Sequence, residues 1–274
     1  MRLKDKVALV TGGGGGLGKG IAIALAREGA HVVVCDVDTA ALRAAEQVIL
    51  ACGAPCLALQ CDVSSSTDVD RMFGEIVTRC GTVHVLVNNA ALVPARPDDE
   101  ARRRSHYAYL TMPVPRRSLQ FTSSLSDAEW HRYWGVNVHG VFYCTRAALR
   151  LMEPRREGKI INIASIAGMS AFSAHSPHYS ATKGAVIAFT RAVAAEVAGA
   201  NIFVNAIAPG GVLTPDLIAY QQRSSDEDRA RLNQLIPLGR LGTVEEYASL
   251  AVYLAADGHY LVGQIVSPNG GLVI

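Results

Sequence analysis

Short apolar runs rich in Val, Leu and Ile recur along the chain, and a helical pattern follows each of the early ones. Residues 6–11, 31–36, 55–61 and 83–88 read as strands. Residues 17–28, 39–50 and 67–79 read as helices, closed in turn by Gly29, Gly53 and Gly81. The strands are near-continuously apolar rather than alternating, as burial on both faces requires. After residue 125 the rhythm resumes. A long helix is expected over 127–152, behind the capping-box pattern Ser126-Asp127-Ala128-Glu129. A strand at 159–164, a helix at 178–197 and a strand at 201–208 come next. A second capping box, Thr243-Val244-Glu245-Glu246, opens a helix to residue 256, and 263–267 is the last strand. The expected fold is α/β, a Rossmann-like doubly wound parallel sheet of about seven strands with helices on both faces. Neither a repeat nor an interdomain linker is visible, so residues 1–274 are expected to form a single domain.

Two stretches interrupt the pattern. Residues 92–125 are polar and read as irregular, with four prolines, six arginines against three acids, and the run Arg102-Arg103-Arg104. Residues 214–235 are charged and helical without a strong apolar stripe, within an expected substrate lid at about 211–236. Long segments of this kind inside a compact domain are usually lids or binding loops, and both follow carboxyl ends of strands.

Composition narrows the class. A chain of 274 residues can bury a core without disulfides or metals. A net charge of +2 carries no signal for nucleic acid or membrane. The six cysteines lack paired C-x-x-C spacing, so no metal site is expected and reduced thiols are. The N-terminus passes directly into a strand with no leader pattern, and no apolar run is long enough to span a bilayer. A soluble cytoplasmic protein is therefore expected.

Five glycines, Gly12 to Gly16, then Leu17 and Gly18, stand between the first strand and the first helix. In that context glycines let the backbone approach a pyrophosphate, and the helix N-terminus offers free N–H groups and a positive dipole end. Asp36 closes the second strand, 20 residues beyond Gly16. A carboxylate there can take both adenosine ribose hydroxyls and would repel a 2′-phosphate. Val37 and Gly15 supply no basic residue for that phosphate, so the expected cofactor is NAD rather than NADP.

Tyr179 and Lys183 are four apart at the start of a helix, on one face. A phenol with a pKa near 10 is a poor base at neutral pH, and a neighbouring ammonium favours its phenolate. Run in reverse, the same phenol can protonate a developing alkoxide. Taken alone, the pair is also what a surface helix shows by chance. Ser165, at the end of the strand 159–164, can hold a substrate oxygen or cap a turn. Asn137, a poor helix former inside a helical stretch, can bend the helix and bind water or hydrogen-bond within the core. His175 and His178 can line a pocket or sit in solvent.

These residues together resemble the short-chain dehydrogenase/reductase family in its compact single-domain form, over essentially the whole chain. Thr11-Gly12 through Gly16-Leu17-Gly18 matches its cofactor loop, Asp62-Val63 its adenine-side pair, and Asn88-Asn89-Ala90 its turn after the fourth strand. Asn137, Ser165, Tyr179 and Lys183 match its catalytic tetrad in order, and Pro209-Gly210 with Val212 and Thr214 matches the segment that embraces the nicotinamide. The resemblance implies hydride exchange between a carbinol carbon and the nicotinamide. Tyr179 would be the acid/base, Ser165 would orient the oxygen, Lys183 would hold the ribose, and Asn137 would hold a relay water. It also implies a homotetramer, built through the helices 127–152 and 178–197.

The chain departs from the family pattern in three places. Ala91 replaces a glycine after Asn88-Asn89-Ala90, Ser267-Pro268-Asn269-Gly270-Gly271 replaces a more acidic ending, and 92–125 is longer than usual. An NAD(H)-dependent interconversion of a secondary alcohol and a ketone is the expected function. A 3-oxoacyl thioester reductase and a non-catalytic NAD-binding or redox-sensing protein are the alternatives.

Overall fold

A computed structural model describes residues 1–274. Its strands are β1 (Val7–Thr11), β2 (His31–Asp36), β3 (Cys56–Gln60), β4 (Val85–Asn88), β5 (Gly158–Ile163), β6 (Ile202–Ile207) and β7 (Ile265–Val266). They form one parallel sheet in the order β3-β2-β1-β4-β5-β6-β7. The winding reverses between β1 and β4, so the carboxyl ends of these strands open the crevice where such sheets bind ligands.

Alternate residues of each strand enter opposite cores. Ala8, Val10, Val32 and Val34 pack with α1 (Gly16–Arg27), α2 (Thr39–Ala51) and α10 (Val244–Ala255). Leu9, Val33, Leu57 and Ile160 pack with α3 (Ser66–Cys80), α6 (Gly140–Arg155) and α7 (Pro177–Val197). Ile21, Leu25, Met72 and Ile76 are fully buried helix contributions to these layers. Each contributes about 2 kcal/mol of apolar burial. The terminal strand β7 is two residues long, shorter than the 263–267 expected.

Three irregularities depart from the sequence pattern. The helix expected over 127–152 divides into α5 (Asp127–Trp134), a π-helical turn at Gly135–His139, and α6. The wide turn carries Asn137 into full burial, the kind of π-bulge often found at functional sites. Within 92–125, expected to be irregular, lies a helix, α4 (Pro97–Thr111). It has no apolar stripe because its buried residues are Asp99 and His106. Pro97 opens it, acids fill its first turn, and the Arg96 amide donates to Asp99 Oδ2 at 3.1 Å. The charged segment 214–235 forms two helices, α8 (Pro215–Arg223) and α9 (Asp226–Gln234), each started by a hydroxyl cap, Thr214 and Ser225.

Candidate active site

The glycine loop closes tightly where it must and stays open where a ligand could lie. Gly12 and Gly16 have φ of +62° and +50°, which side-chain-bearing residues rarely adopt. A Cβ on Gly18 would stand 2.2 Å from the Gly12 carbonyl oxygen, so this glycine lets α1 approach β1. A Cβ on Gly15 would meet nothing within 4 Å. No side chain caps α1, which leaves its first N–H groups facing the crevice. Leu17 packs on the core beside them. This cradle fits a dinucleotide pyrophosphate.

The remaining cofactor-side residues ring the same crevice. Asp36 accepts from the amides of Gly14 and Asp38, both at 3.2 Å, and is held at the end of β2. Asp62 Oδ1 accepts from the amide and hydroxyl of Ser64 at 2.9 and 2.7 Å, and Val63 is buried beside Gly140. Thr11 Oγ1 accepts from the Asn89 and Ala90 amides, each at 3.0 Å, while Asn89 Nδ2 donates to the Thr11 and Gly12 carbonyls at 3.0 and 3.1 Å. The turn after β4 is thereby tied to the glycine loop. Pro209 and Gly210 follow β6, with the Gly210 Cα hemmed in by Asn269. Val212 bridges to Gly242, and Thr214 places its methyl 3.5 Å from where a Gly16 Cβ would be. The segment expected to be a lid therefore starts directly over the loop.

The residues expected to handle protons meet at the carboxyl end of β5. Lys183 Nζ donates to the Ile163 carbonyl at 2.7 Å, two residues before Ser165, and lies 5.7 Å from the centre of the Tyr179 ring. Burial drives the Lys183 ammonium down to about 8. Burial pushes the Tyr179 phenol up, against the opposing influences of the Ser165 hydroxyl and the Arg103 guanidinium. Asn137 Oδ1 accepts from the Leu92 amide at 2.7 Å, and Nδ2 donates to the Leu92 carbonyl at 3.0 Å and to Thr182 Oγ1 at 3.1 Å. Thr182 in turn donates to the Tyr179 carbonyl at 2.8 Å. The Asn137 side chain thus hydrogen-bonds within the core at the π turn that interrupts the helix.

Both histidines are buried rather than solvent-exposed. His178 is fully buried edge-on to Tyr133, with ring centres 4.2 Å apart. His175 is buried with its Nδ1 3.3 Å from His106 Nδ1, and burial drives it down to about 3. The pair fastens α4 to the segment leading into α7. Asp99, Glu129 and His178 converge within 4.8 Å, but the Arg102 guanidinium already bridges Asp99 and Glu129, so the chain supplies its own cation there.

The model of the short chain dehydrogenase family matches residues 6–224. The chain belongs to the short-chain dehydrogenase family. A 3-oxoacyl-[acyl-carrier-protein] reductase of Synechocystis sp. is 34% identical, with 99% of this chain and 98% of that one covered. A sorbitol dehydrogenase of Cereibacter sphaeroides is 33% identical, over 99% and 98%. Among solved structures, an actinorhodin polyketide ketoreductase variant with NADPH superposes with a TM-score of 0.84 at 31% identity, over 97% of each chain. As a short-chain dehydrogenase the protein is an oxidoreductase of CH–OH groups that uses a nicotinamide dinucleotide.

Several residues supporting this short-chain dehydrogenase site carry little signal in the chain. Asn88 Nδ2 donates to Thr145 Oγ1 at 3.0 Å and to Asn162 Oδ1 at 2.8 Å, and Asn162 Nδ2 donates to Thr190 Oγ1 at 2.9 Å. This polar relay ties β4 and β5 to α6 and α7. Its sequence mark is an asparagine inside each of two apolar strands, which the fold sets side by side. Thr182 left no such mark, and Arg103 stood out only as one of the run Arg102-Arg103-Arg104.

Proposed function

We propose that this protein interconverts a secondary alcohol and a ketone with NAD(H), using Tyr179 as the acid/base. The observation that carries the reading is the convergence of Tyr179, Lys183 and Ser165 at the crevice that the glycine loop and Asp36 border. When bound, the nicotinamide supplies hydride acceptance or donation. The chain's own residues do the rest. Ser165 holds the substrate oxygen beside the phenol. Tyr179 takes the hydroxyl proton in oxidation and returns it in reduction. Lys183, fixed by the Ile163 carbonyl, holds the ribose and favours the phenolate. Asn137 fixes the start of the 92–125 segment and the backbone beneath Tyr179 through Leu92 and Thr182; that it also holds a relay water is part of the same proposal.

Asp36 supports NAD over NADP, because its carboxylate is already oriented by two backbone amides where the adenosine ribose would lie. The NADPH in the polyketide ketoreductase variant belongs to that protein. A panel of secondary alcohols followed by nicotinamide absorbance, with NAD and with NADP, tests the reading. Wild type should prefer NAD, and Asp36→Ala should erode that preference by about tenfold or more. Unchanged discrimination in Asp36→Ala would overturn the cofactor assignment. Reduction of a 3-oxoacyl thioester is the second reading, favoured by the carrier-protein reductases among the relatives. No helix is long and apolar enough to cross a membrane; a cytoplasmic setting, in which the six free thiols would stay reduced, is part of the proposal. An exposed Phe142 packed edge-on against Phe189 supports self-association through α6 and α7, for which we propose a homotetramer.

A further inference from the structure

The 92–125 segment brings one unusual charge to the reaction centre. Arg103, His106 and Tyr107 share one face of α4, at spacings of three and four. That face packs on the residues entering α7. The Tyr107 ring lies 5.6 Å from Phe172 and 5.8 Å from His175, and His106 touches His175. Arg103 is thereby held where three segments meet. Its Nη2 donates to the Pro94 carbonyl at 2.6 Å, and its guanidinium lies 5.3 Å from the centre of the Tyr220 ring on α8.

The neighbouring arginines differ from it in kind. Arg102 is paired with Asp99 and Glu129, Arg223 is paired with Glu100 at 3.1 Å, and Arg104 is exposed. Arg103 is half-buried, has no carboxylate within 4 Å, and commits only one nitrogen to the protein. A guanidinium has five N–H donors in a fork that suits a carboxylate. Phe172 and His175, on which this face of α4 packs, lie in the segment between Ser165 and Tyr179, which places Arg103 beside the reacting end of the crevice. The adenosine end, at Asp36 on β2, is three strands away from β5, about 14 Å. Arg103 therefore does not address a phosphate on that ribose.

We propose that Arg103 recognises an anionic group on the substrate, and that the substrate is a short hydroxy acid or its oxo acid, with the carboxylate a few bonds from the reacting carbon. The inference rests on the alcohol–ketone reading above and adds a substrate class to it. Arg103 contributes binding and no proton, so its loss should appear mainly in KM.

The test compares 2-, 3- and 4-hydroxypentanoate with their uncharged amides, using wild type, Arg103→Gln and Arg103→Lys. For at least one chain length the acid should exceed its amide in kcat/KM by about tenfold or more in wild type. The ratio should fall close to unity in Arg103→Gln and stay intermediate in Arg103→Lys, which keeps the charge without the fork. Dissociation constants of the matching oxo acids and oxo amides on cofactor-loaded protein read the same ratio without turnover. Acid binding through Arg103 with no oxidation of any alcohol would refute the enzymatic reading, and the substrate class with it, while leaving the anion contact of Arg103 standing. A ratio that Arg103→Gln leaves unchanged overturns the inference. So does a coenzyme A thioester of the 3-hydroxy acid that is turned over in preference to the free acid.

Discussion

Lys183 shows how a single residue can serve a site at a cost in stability. Its ammonium is 3% exposed and has one hydrogen-bond partner, the Ile163 carbonyl. Burial disfavours the charged form, so the folded protein gives up this proton near pH 8 while the unfolded chain keeps it to the ordinary lysine value near 10.5. The unfolded state thus binds more protons between those values, and stability through this group rises with pH across them. At pH 7 the buried charge costs on the order of 3 kcal/mol. Lys183→Met removes that charge. The difference in Tm between Lys183→Met and wild type should therefore favour the variant most at pH 7 and shrink toward pH 10. A difference independent of pH would show that the ammonium is not desolvated in the folded protein.

At the scale of elements, legibility followed the apolar pattern. Buried parallel strands are continuous runs of Val, Leu and Ile, so β1 to β6 stand out, and the glycines that end the early helices mark their limits. The pattern is blind to α4, whose inward side carries Asp99 and His106. A polar residue buried through a partner looks the same in sequence as one facing water, and the partners Arg102, Glu129 and His175 come together only in the fold. The π turn escaped for a related reason, since one extra residue in a turn leaves the composition of the helix unchanged. The same network yields a prediction. Asp99→Ala leaves Arg102 with Glu129 alone, and should cost about 2 kcal/mol, less than for a sealed pair because Arg102 stays part-exposed. Hydrogen exchange should show α4 losing protection first while the sheet keeps its own. Uniform loss across the sheet would contradict a locally docked helix.

For the molecule as a whole, the sheet order explains how residues spread from Gly12 to Thr214 can act as one site. Each lies at or near the carboxyl end of a strand or in the lid, and the reversal between β1 and β4 gathers these ends around one crevice. The motifs were readable because the chemistry constrains them. A pyrophosphate needs glycines at a helix start, a ribose needs an acid one strand later, and a phenol needs a nearby lysine. What we propose selects the substrate was not readable, because α4, α8 and the loop before α7 meet across long sequence separations.

The central claim is that Tyr179 moves the proton while the rest of the crevice holds the cofactor. The most direct test is Tyr179→Phe on the alcohol panel, with cofactor affinity measured on the same preparation. Turnover should fall by about 10² to 10⁴ with NADH affinity within a few-fold of wild type. A variant that binds NADH normally and turns over within a few-fold of wild type would contradict it.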